Sequence, residues 1–218
     1  MAYSVKEMFY TLQGEGVHAG RAAVFLRFSG CNLWSGREQD RATAVCDFCD
    51  TDFVGTDGQG GGRFDTELEL AYAAAKCWGG LMPVRGERML LVCTGGEPLL
   101  QLDQLAVDAL HGVGFEIAVE TNGTIKPPPG IDWLCVSPKG KAKVVVSGGD
   151  ELKLVYPQAG VAPEPFLSLN FRNFRLQPLS VADDPVASAE NLQATVRYCI
   201  SNPQWRFGLQ MHKIIGVD

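Results

Sequence analysis

The sequence contains no apolar segment long enough to cross a bilayer, no basic run, no internal repeat and no low-complexity stretch. Its 218 residues carry a formal net charge of -6, which argues against a nucleic-acid-binding surface. The first residues also lack the charged-then-apolar pattern of a signal peptide. We therefore expect a cytoplasmic protein without a membrane or nucleic-acid partner.

A disulfide framework is not indicated either, because the seven cysteines are an odd number in a chain with no export signal. Three of them, Cys31, Cys46 and Cys49, lie close together in a segment with neither helical nor strand periodicity. The last two form a C-x2-C pair, whose short link lets both sulfurs point at one centre. This pattern is typical of a loop that is shaped by a bound group.

The identity of that group stays open at this point. A four-iron cluster held by three cysteines has one iron without a protein ligand, and this iron can bind a small molecule. A zinc site that borrows a His or an Asp fits the spacing equally well, and three unrelated buried cysteines are a third interpretation. The other cysteines fall in apolar patterns and are assigned to the core: Cys77, Cys93, Cys135 and Cys199.

Apolar patterning predicts strands that alternate with helices, which implies βα units and a mostly parallel sheet. A capping box at Thr66–Glu69 begins a helix with Leu68, Tyr72 and Ala75 on one face. Pro185 begins another helix that runs to about residue 200. We predict one α/β domain over residues 1–218, a partial, open parallel barrel of about six strands. Strands are predicted at 3–11, 22–28, 88–93, 115–119, 133–136, 152–156, 174–177 and 205–209; residues 52–64 and 147–149 are predicted loops.

Polar residues gather directly after the predicted strands, and such loops share one mouth in a parallel barrel. Gly95 and Gly96 can expose backbone groups to a ligand, and Glu97 can accept an ammonium group. A tight turn is the ordinary alternative for this Gly-Gly-Glu-Pro segment. Arg27 lies inside an apolar strand, so its charge must be paired, either by an internal carboxylate or by an anionic ligand.

The cysteine loop, with Phe48 just before its last cysteine and Gly-Gly-Glu-Pro one strand later, resembles the radical S-adenosylmethionine superfamily. Its C-x14-C-x2-C spacing departs from the usual C-x3-C-x2-C. Together with several other motifs, this insertion is similar to the 7-carboxy-7-deazaguanine synthase family within that superfamily. These motifs span nearly the whole chain: Leu12–Gly16, Glu120–Gly123, Ser137–Lys139 and Gln210–Lys213.

The resemblance implies a radical-SAM core in which a cluster-binding loop, residues 31–64, follows the first core strand. It implies a [4Fe-4S] cluster on Cys31, Cys46 and Cys49, with S-adenosylmethionine on the open iron. One electron from a flavodoxin or ferredoxin would cleave the sulfonium and give a 5′-deoxyadenosyl radical. Gly96 would offer backbone groups to the methionine amine, with Glu97 supporting that loop. The residues implied for this cofactor are Phe48, Cys49, Asp50, Gly96, Glu97, Glu120, Ser137, Pro138, Lys139 and Gln177.

The implied reaction converts 6-carboxy-5,6,7,8-tetrahydropterin to 7-carboxy-7-deazaguanine, with hydrogen abstraction, ring contraction and loss of ammonia. This is a carbon–nitrogen lyase step of queuosine biosynthesis, and the family is usually homodimeric. Thr51 would place its hydroxyl on Mg²⁺, a hard cation that prefers oxygen. Arg27 would pair with the substrate carboxylate, and Leu12, Gln13 and Gly14 would use backbone groups. The residues implied for the substrate are Leu12, Gln13, Gly14, Glu15, Arg27, Thr94, His212 and Asp218.

Two other functions use parts of the same pattern. A glycyl-radical activating enzyme would share the cluster but not the pterin pocket. A zinc-stabilised binding domain without catalysis would use only the cysteines.

Overall fold

The computed structural model describes residues 2–217, which form a nine-stranded sheet with four α-helices. The strands are β1 (Tyr3–Leu12), β2 (Ala22–Phe28), β3 (Gly62–Phe64), β4 (Met89–Gly95), β5 (Phe115–Thr121), β6 (Trp133–Val136), β7 (Gly148–Tyr156), β8 (Asn170–Pro178) and β9 (Arg206–Phe207). The helices are α1 (Glu67–Trp78), α2 (Gln104–Gly112), α3 (Pro185–Ser201) and α4 (Met211–Ile215).

The sheet has the order β3-β1-β2-β4-β5-β6-β7-β8-β9 and does not close on itself. From β2 to β9 every neighbouring pair is parallel, whereas β1 is antiparallel to both β2 and β3. The predicted partial, open parallel barrel is therefore confirmed. Its parallel strands bring their carboxyl ends to one edge, where ligand sites of such sheets lie.

The apolar core lies in two main parts. The larger part joins α1 and α2 to β1, β2, β4 and β5, and the smaller part surrounds Trp205 between β7, β8 and α3.

No helix in residues 2–217 combines the length and the apolar character that a bilayer crossing requires.

The face of α1 that carries Leu68 and Tyr72 is not the face that packs on the core. Leu68 and Tyr72 are 52% and 65% exposed. The helix does begin at the predicted capping box, where the Thr66 hydroxyl accepts from the Glu69 backbone N–H at 3.2 Å. Small alanines on the buried face let the helix approach its neighbours closely, and the apolar pattern alone did not fix this rotation. The face that packs against the core consists of Leu70, Ala71, Ala74 and Trp78.

Three further elements differ from the sequence-based expectation. Strand β3 lies inside the predicted loop 52–64, because Phe64 pairs with Tyr3 on the edge of the sheet. Strand β7 begins at Gly148, within the predicted loop 147–149, where it pairs with Asn170. Helix α4 follows β9 and was not predicted, since five residues are too few for a helical pattern to show.

Candidate active site

A cavity of about 420 Å³ opens at the carboxyl ends of the parallel strands. Thr94 at the end of β4 and Glu120 at the end of β5 lie on its wall, and Ser137 follows β6. Most of the predicted site residues meet here. Those that line the cavity are Leu12, Gln13, Gly14, Glu15, Arg27, Cys31, Cys46, Phe48, Cys49, Asp50, Thr51, Thr94, Gly96, Glu120, Ser137, Lys139, Gln177 and His212.

Cys31, Cys46 and Cys49 face this cavity together, and Cys46 is buried while the other two are half-buried. The Cys46 thiol donates to the Cys49 sulfur, which lowers the pKa of Cys49 to about 6. The Thr51 backbone N–H and the Lys139 ammonium act in the same direction, against the effect of burial. The low pKa of Cys49 favours its thiolate, the form that binds iron, whereas burial raises the pKa of Cys31 and the shared hydrogen bond raises that of Cys46.

The spacing of these thiols is a test of which group they fit. Within residues 2–217, no three His, Cys, Asp or Glu side chains converge on the position of one metal ion. Three cysteine thiols on one cavity wall are the donor set that a four-iron cluster needs when its fourth iron is left free for a small ligand.

The segment that carries the cysteines is held in place by Arg41. Its Nη1 donates to the carbonyl oxygens of Asp47 at 2.8 Å and Cys49 at 3.0 Å. The guanidinium also lies over the Trp34 ring, 4.2 Å from the ring centroid. The C-x2-C segment thus has a defined backbone path that depends on protein contacts alone.

The Gly-Gly-Glu-Pro loop packs directly against the start of the cysteine loop. A Cβ on Gly96 would lie 2.3 Å from the carbonyl oxygen of Gly30 and 2.6 Å from the Cβ of Cys31. The next residue, Glu97, donates its backbone N–H to the same Gly30 oxygen at 2.9 Å. Glycine is required here because the two backbones touch, and this contact fixes Cys31 relative to β4.

Lys153 on β7 is a cavity residue that the sequence analysis missed. Its Nζ lies 2.5 Å from Glu15 Oε2 and 3.3 Å from Glu120 Oε1, and its side chain is 7% exposed. Burial alone would raise the pKa of Glu15, but Lys153 and the amides of Gln177 and Gln210 together lower it to about 2. A charged residue inside an apolar strand indicates a buried partner or a ligand. This pattern, which pointed to Arg27, also applies to Lys153 between Leu152 and Leu154.

The sequence left two partners open for Arg27 on β2, an internal carboxylate or an anionic ligand. The structure shows an internal carboxylate, Glu7. Arg27 Nε donates to Glu7 Oε1 at 2.7 Å, and both side chains line the cavity. Within residues 2–217, Nη1 and Nη2 of Arg27 form no hydrogen bond. The guanidinium is therefore anchored at one side and able to bind an anion at the other.

Comparison with known proteins gives full-length relatives. The chain is 62% identical to the 7-carboxy-7-deazaguanine synthase of Bordetella pertussis and 61% identical to that of Caulobacter vibrioides, each over 100% of both chains. The chain belongs to the 7-carboxy-7-deazaguanine synthase family. A solved structure, "Crystal structure of QueE from Escherichia coli", matches with a TM-score of 0.72 and 25% identity, over 97% of this chain and 95% of that one. No protein-family model matches the chain.

Membership in the synthase family confirms the predicted enzyme class, a radical S-adenosylmethionine lyase of queuosine biosynthesis. The family implies a [4Fe-4S] cluster and S-adenosylmethionine. The relatives are named neither as glycyl-radical activating enzymes nor as zinc-stabilised binding domains.

Within this synthase fold, one expectation for Glu97 is wrong. The side chain is fully buried and does not line the cavity, and its carboxylate accepts from the Leu99 N–H at 3.0 Å, the Thr121 hydroxyl at 2.7 Å and the Asn122 N–H at 2.8 Å. It cannot also reach a ligand ammonium. Instead it ties the loop after β4 to the end of β5, which is the supporting role that the resemblance implied. Burial raises the pKa of this carboxyl.

Two other predicted residues differ in a similar way. Pro138 does not line the cavity, and its carbonyl accepts from Gln158 Nε2 at 3.2 Å. Gln13 was expected to offer its backbone to the substrate, but its N–H donates to the carbonyl of Arg21 and its carbonyl accepts from Gly20, both at 2.8 Å. Its side chain is what lies on the cavity wall, donating to Glu120 at 3.1 Å.

The last residues of the predicted site close its rim. Gly14 accepts a hydrogen bond from the Met211 N–H at 2.8 Å, which places α4 over the cavity, and His212 packs directly on Gly14. Lys213 pairs with Asp50 at 2.8 Å. Asp218 lies outside the described residues.

Proposed function

We propose that this protein converts 6-carboxy-5,6,7,8-tetrahydropterin to 7-carboxy-7-deazaguanine with loss of ammonia. The observation that carries the proposal is a single cavity whose wall combines three cysteine thiols with an anchored arginine and a buried lysine. The thiols suit a redox cluster, and the arginine suits a carboxylated substrate. The product named for the full-length relatives supports the same reaction.

In this proposal Cys31, Cys46 and Cys49 hold the cluster. When bound, the cluster and S-adenosylmethionine supply the 5′-deoxyadenosyl radical that abstracts hydrogen from the substrate. Lys139 supports this end of the cavity, because its ammonium lies close enough to Cys46 and Cys49 to favour their thiolates. Its Nζ is held by the Ser137 hydroxyl at 2.5 Å.

The chain positions the cofactor mainly through backbone and polar groups at the strand ends. Gly96 brings its backbone to the cavity beside Cys31. The other residues proposed for S-adenosylmethionine line the same wall: Phe48, Asp50, Glu120, Ser137, Lys139 and Gln177.

At the substrate end, we assign Arg27 to the carboxylate. Glu7 fixes the guanidinium through Nε, so the two terminal nitrogens can form a two-pronged contact with two oxygens. Phe9 and Phe25 stack at 5.6 Å on the same wall and give this end of the cavity an apolar surface. Leu12, Gln13, Gly14, Thr94 and His212 complete the proposed substrate contacts.

Thr51 is the proposed Mg²⁺ residue. It lies on the cavity wall two residues after Cys49, and its backbone N–H helps to lower the pKa of that thiol. A hydroxyl oxygen from the protein together with oxygens from the substrate suits a hard cation.

Beyond the site, we propose a cytoplasmic homodimer in which residues 1–218 form one domain. The proposed reductant is a flavodoxin or a ferredoxin. These features rest on the resemblance described above.

The proposal is tested with protein purified without oxygen and supplied with iron and sulfide. We expect about four iron atoms per chain. With dithionite, S-adenosylmethionine, Mg²⁺ and the carboxylated pterin, mass spectrometry should detect 7-carboxy-7-deazaguanine. Cys49→Ala should lose both the cluster and the product. Formation of 5′-deoxyadenosine without a deazapurine would instead favour a glycyl-radical activating enzyme, and a colourless protein with one zinc would favour a binding domain.

A further inference from the structure

The buried ammonium of Lys153 is shared by two carboxylates that differ in what else they contact. Both oxygens of Glu15 accept from protein donors, Oε2 from Lys153 and Oε1 from two glutamine amides. In Glu120 the protein donors meet Oε1, which lies 3.3 Å from Lys153 Nζ and 3.1 Å from Gln13 Nε2. Within residues 2–217, Glu120 Oε2 forms no hydrogen bond. One oxygen of this cavity carboxylate is therefore available to a ligand.

The neighbouring acid on β7 has its own partners. Glu151 precedes Lys153 by two residues, so both side chains lie on the same face of the strand. The Glu151 carboxylate is held by the Val17 N–H at 3.1 Å and by Arg175 Nε at 3.4 Å. The Lys153 ammonium is therefore left to the two carboxylates of the cavity wall.

A purely structural ion pair would need only one of these carboxylates. Lys153 and Glu15 already form a pair at 2.5 Å, and Glu120 adds a second negative charge beside an ammonium that is 7% exposed. An extra charge in a partly buried position costs free energy. A glutamine at position 120 could accept from Lys153 and Gln13 without that cost. Such departures from ordinary stability rules are expected at functional sites.

We propose that Lys153 is a positioning residue of the reaction, which holds Glu120 by one carboxylate oxygen and directs the other oxygen at the bound ligand. The inference rests on the proposed function, in which Glu120 contacts a ligand in the cavity. A charge-assisted hydrogen bond restricts the orientation of a carboxylate. A group that is oriented in advance loses less freedom when the ligand binds. In this assignment Lys153 acts through Glu120.

The test is a double-mutant cycle with dithionite as reductant, using Lys153→Met, Glu120→Gln and the variant that carries both changes. Each single change should lower kcat/KM for the carboxylated pterin by about ten- to a hundredfold, because the ligand loses an oriented, charged acceptor. The double variant should lie within about twofold of the less active single variant, since residues that act as one unit are not additive. Losses that multiply would overturn the proposal, as would unchanged kcat/KM for either single variant.

Binding without turnover gives a second readout. Equilibrium dialysis on the reconstituted enzyme without reductant measures the dissociation constants of S-adenosylmethionine and of 6-carboxypterin, the oxidised analogue of the substrate. Lys153→Met and Glu120→Gln should weaken binding of the same ligand, each by about tenfold. Weakening of different ligands by the two variants, or no change in either constant, would show that Lys153 does not act through Glu120.

Arg21→Met is the matched control for an ion pair lost from the same strand. The Arg21 guanidinium donates to Glu116 on β5 at 3.1 Å and 2.9 Å, and neither residue lines the cavity. This variant should lose stability but keep kcat/KM and both dissociation constants within about twofold. If its kcat/KM falls as far as that of Lys153→Met, loss of stability explains both effects and Lys153 has no positioning role.

A second background covers the case in which Lys153→Met does not fold. The same cycle is then made with Glu15→Gln present throughout, so that one of the two carboxylates is already neutral. Lys153→Met and Glu120→Gln should again be non-additive, and additive losses would overturn the proposal there too. Lack of deazapurine from the unaltered enzyme would count against the proposed function, while the dissociation constants would still decide the role of Lys153.

Discussion

Lys153 and Glu15 form a buried ion pair inside the cavity wall, with 2.5 Å between Nζ and Oε2. The pair joins β7 to the segment that follows β1, and Glu120 at the end of β5 is the second carboxylate on the same ammonium. Gln177 and Gln210 donate to the other Glu15 oxygen at 2.8 Å and 3.0 Å. One cation thus fixes the relative positions of several strand ends.

Removing that cation should destabilise the protein strongly. Lys153→Met keeps the length of the side chain but leaves Glu15 and the half-buried Glu120 without their cation. We expect the free energy of unfolding to fall by about 3 to 5 kcal/mol. Urea denaturation followed by circular dichroism measures it. The double variant Lys153→Met, Glu15→Gln should recover part of the loss, and a single variant within about 1 kcal/mol of the unaltered protein would contradict the structural role.

The same pair makes stability depend on pH at the acid end. The folded-state pKa of Glu15 is about 2, below its ordinary value, so the ionised carboxylate stabilises the fold above pH 4.5. This contribution, on the order of 3 kcal/mol, is lost as the pH falls through the folded pKa. The difference in unfolding free energy between the unaltered protein and Glu15→Gln should therefore shrink from pH 6 to pH 2. A constant difference across that range would show that Glu15 titrates normally.

Gly96→Ala tests the contact between the Gly-Gly-Glu-Pro loop and the cysteine loop. The new methyl group would meet the Gly30 carbonyl and the Cys31 Cβ, and the backbone cannot yield without moving Cys31. We expect lower iron content after reconstitution and a stability loss of about 1 to 3 kcal/mol. Gly112→Ala is the control, because a Cβ there meets nothing within 4 Å. It should be neutral or stabilising, and equal iron contents in the two variants would argue against the contact.

Arg27→Gln should impair use of the carboxylated pterin and spare the cluster. Loss of a charge-assisted contact predicts a kcat/KM lower by about ten- to a hundredfold. Iron content and slow cleavage of S-adenosylmethionine without the pterin should stay as they were. Glu7→Gln, which keeps an oxygen acceptor for Nε and removes only the charge of the anchor, should have a smaller effect. Unchanged kcat/KM for Arg27→Gln would remove this residue from the substrate site.

Thr51→Val removes a hydroxyl and keeps the shape of the side chain. Since the Cys49 sulfur is contacted by the backbone N–H of Thr51, iron content should not change. The Mg²⁺ concentration for half-maximal turnover should rise if the hydroxyl binds the cation. If Thr51→Val and the unaltered enzyme depend on Mg²⁺ concentration in the same way, the Thr51 hydroxyl does not bind the cation and Thr51 has only a structural role in the loop.

Much of the architecture could be predicted because buried parallel strands have a simple signature. The apolar runs around Leu91 and Ile117 define β4 and β5, and the polar residues just after them mark the cavity edge. The placement of the cysteines on this edge was predictable for the same reason, since their loop follows β2. Local capping at Thr66 was equally readable, because a capping box depends on four neighbouring residues.

Other features depend on distant contacts that no local pattern contains. The burial of Ala71 rather than Tyr72 follows from packing of α1 on the sheet, and α4 depends on the hydrogen bond between Met211 and Gly14. The role of Lys153 is set by Glu15, more than a hundred residues earlier in the chain. The Glu97 carboxylate accepts hydrogen bonds from Thr121 and Asn122 at the end of β5. The Gly-Gly-Glu-Pro motif does not contain these partners, so it could not show that Glu97 points away from the cavity.

The two borders of the open sheet are also its shortest strands, three residues in β3 and two in β9. A sheet that does not close into a ring leaves unpaired backbone N–H and C=O groups at both borders, and such rows attract strands from other molecules. Here each row is too brief to template a foreign strand. The sheet can therefore stay open while its outermost strands offer only short rows for pairing with another molecule.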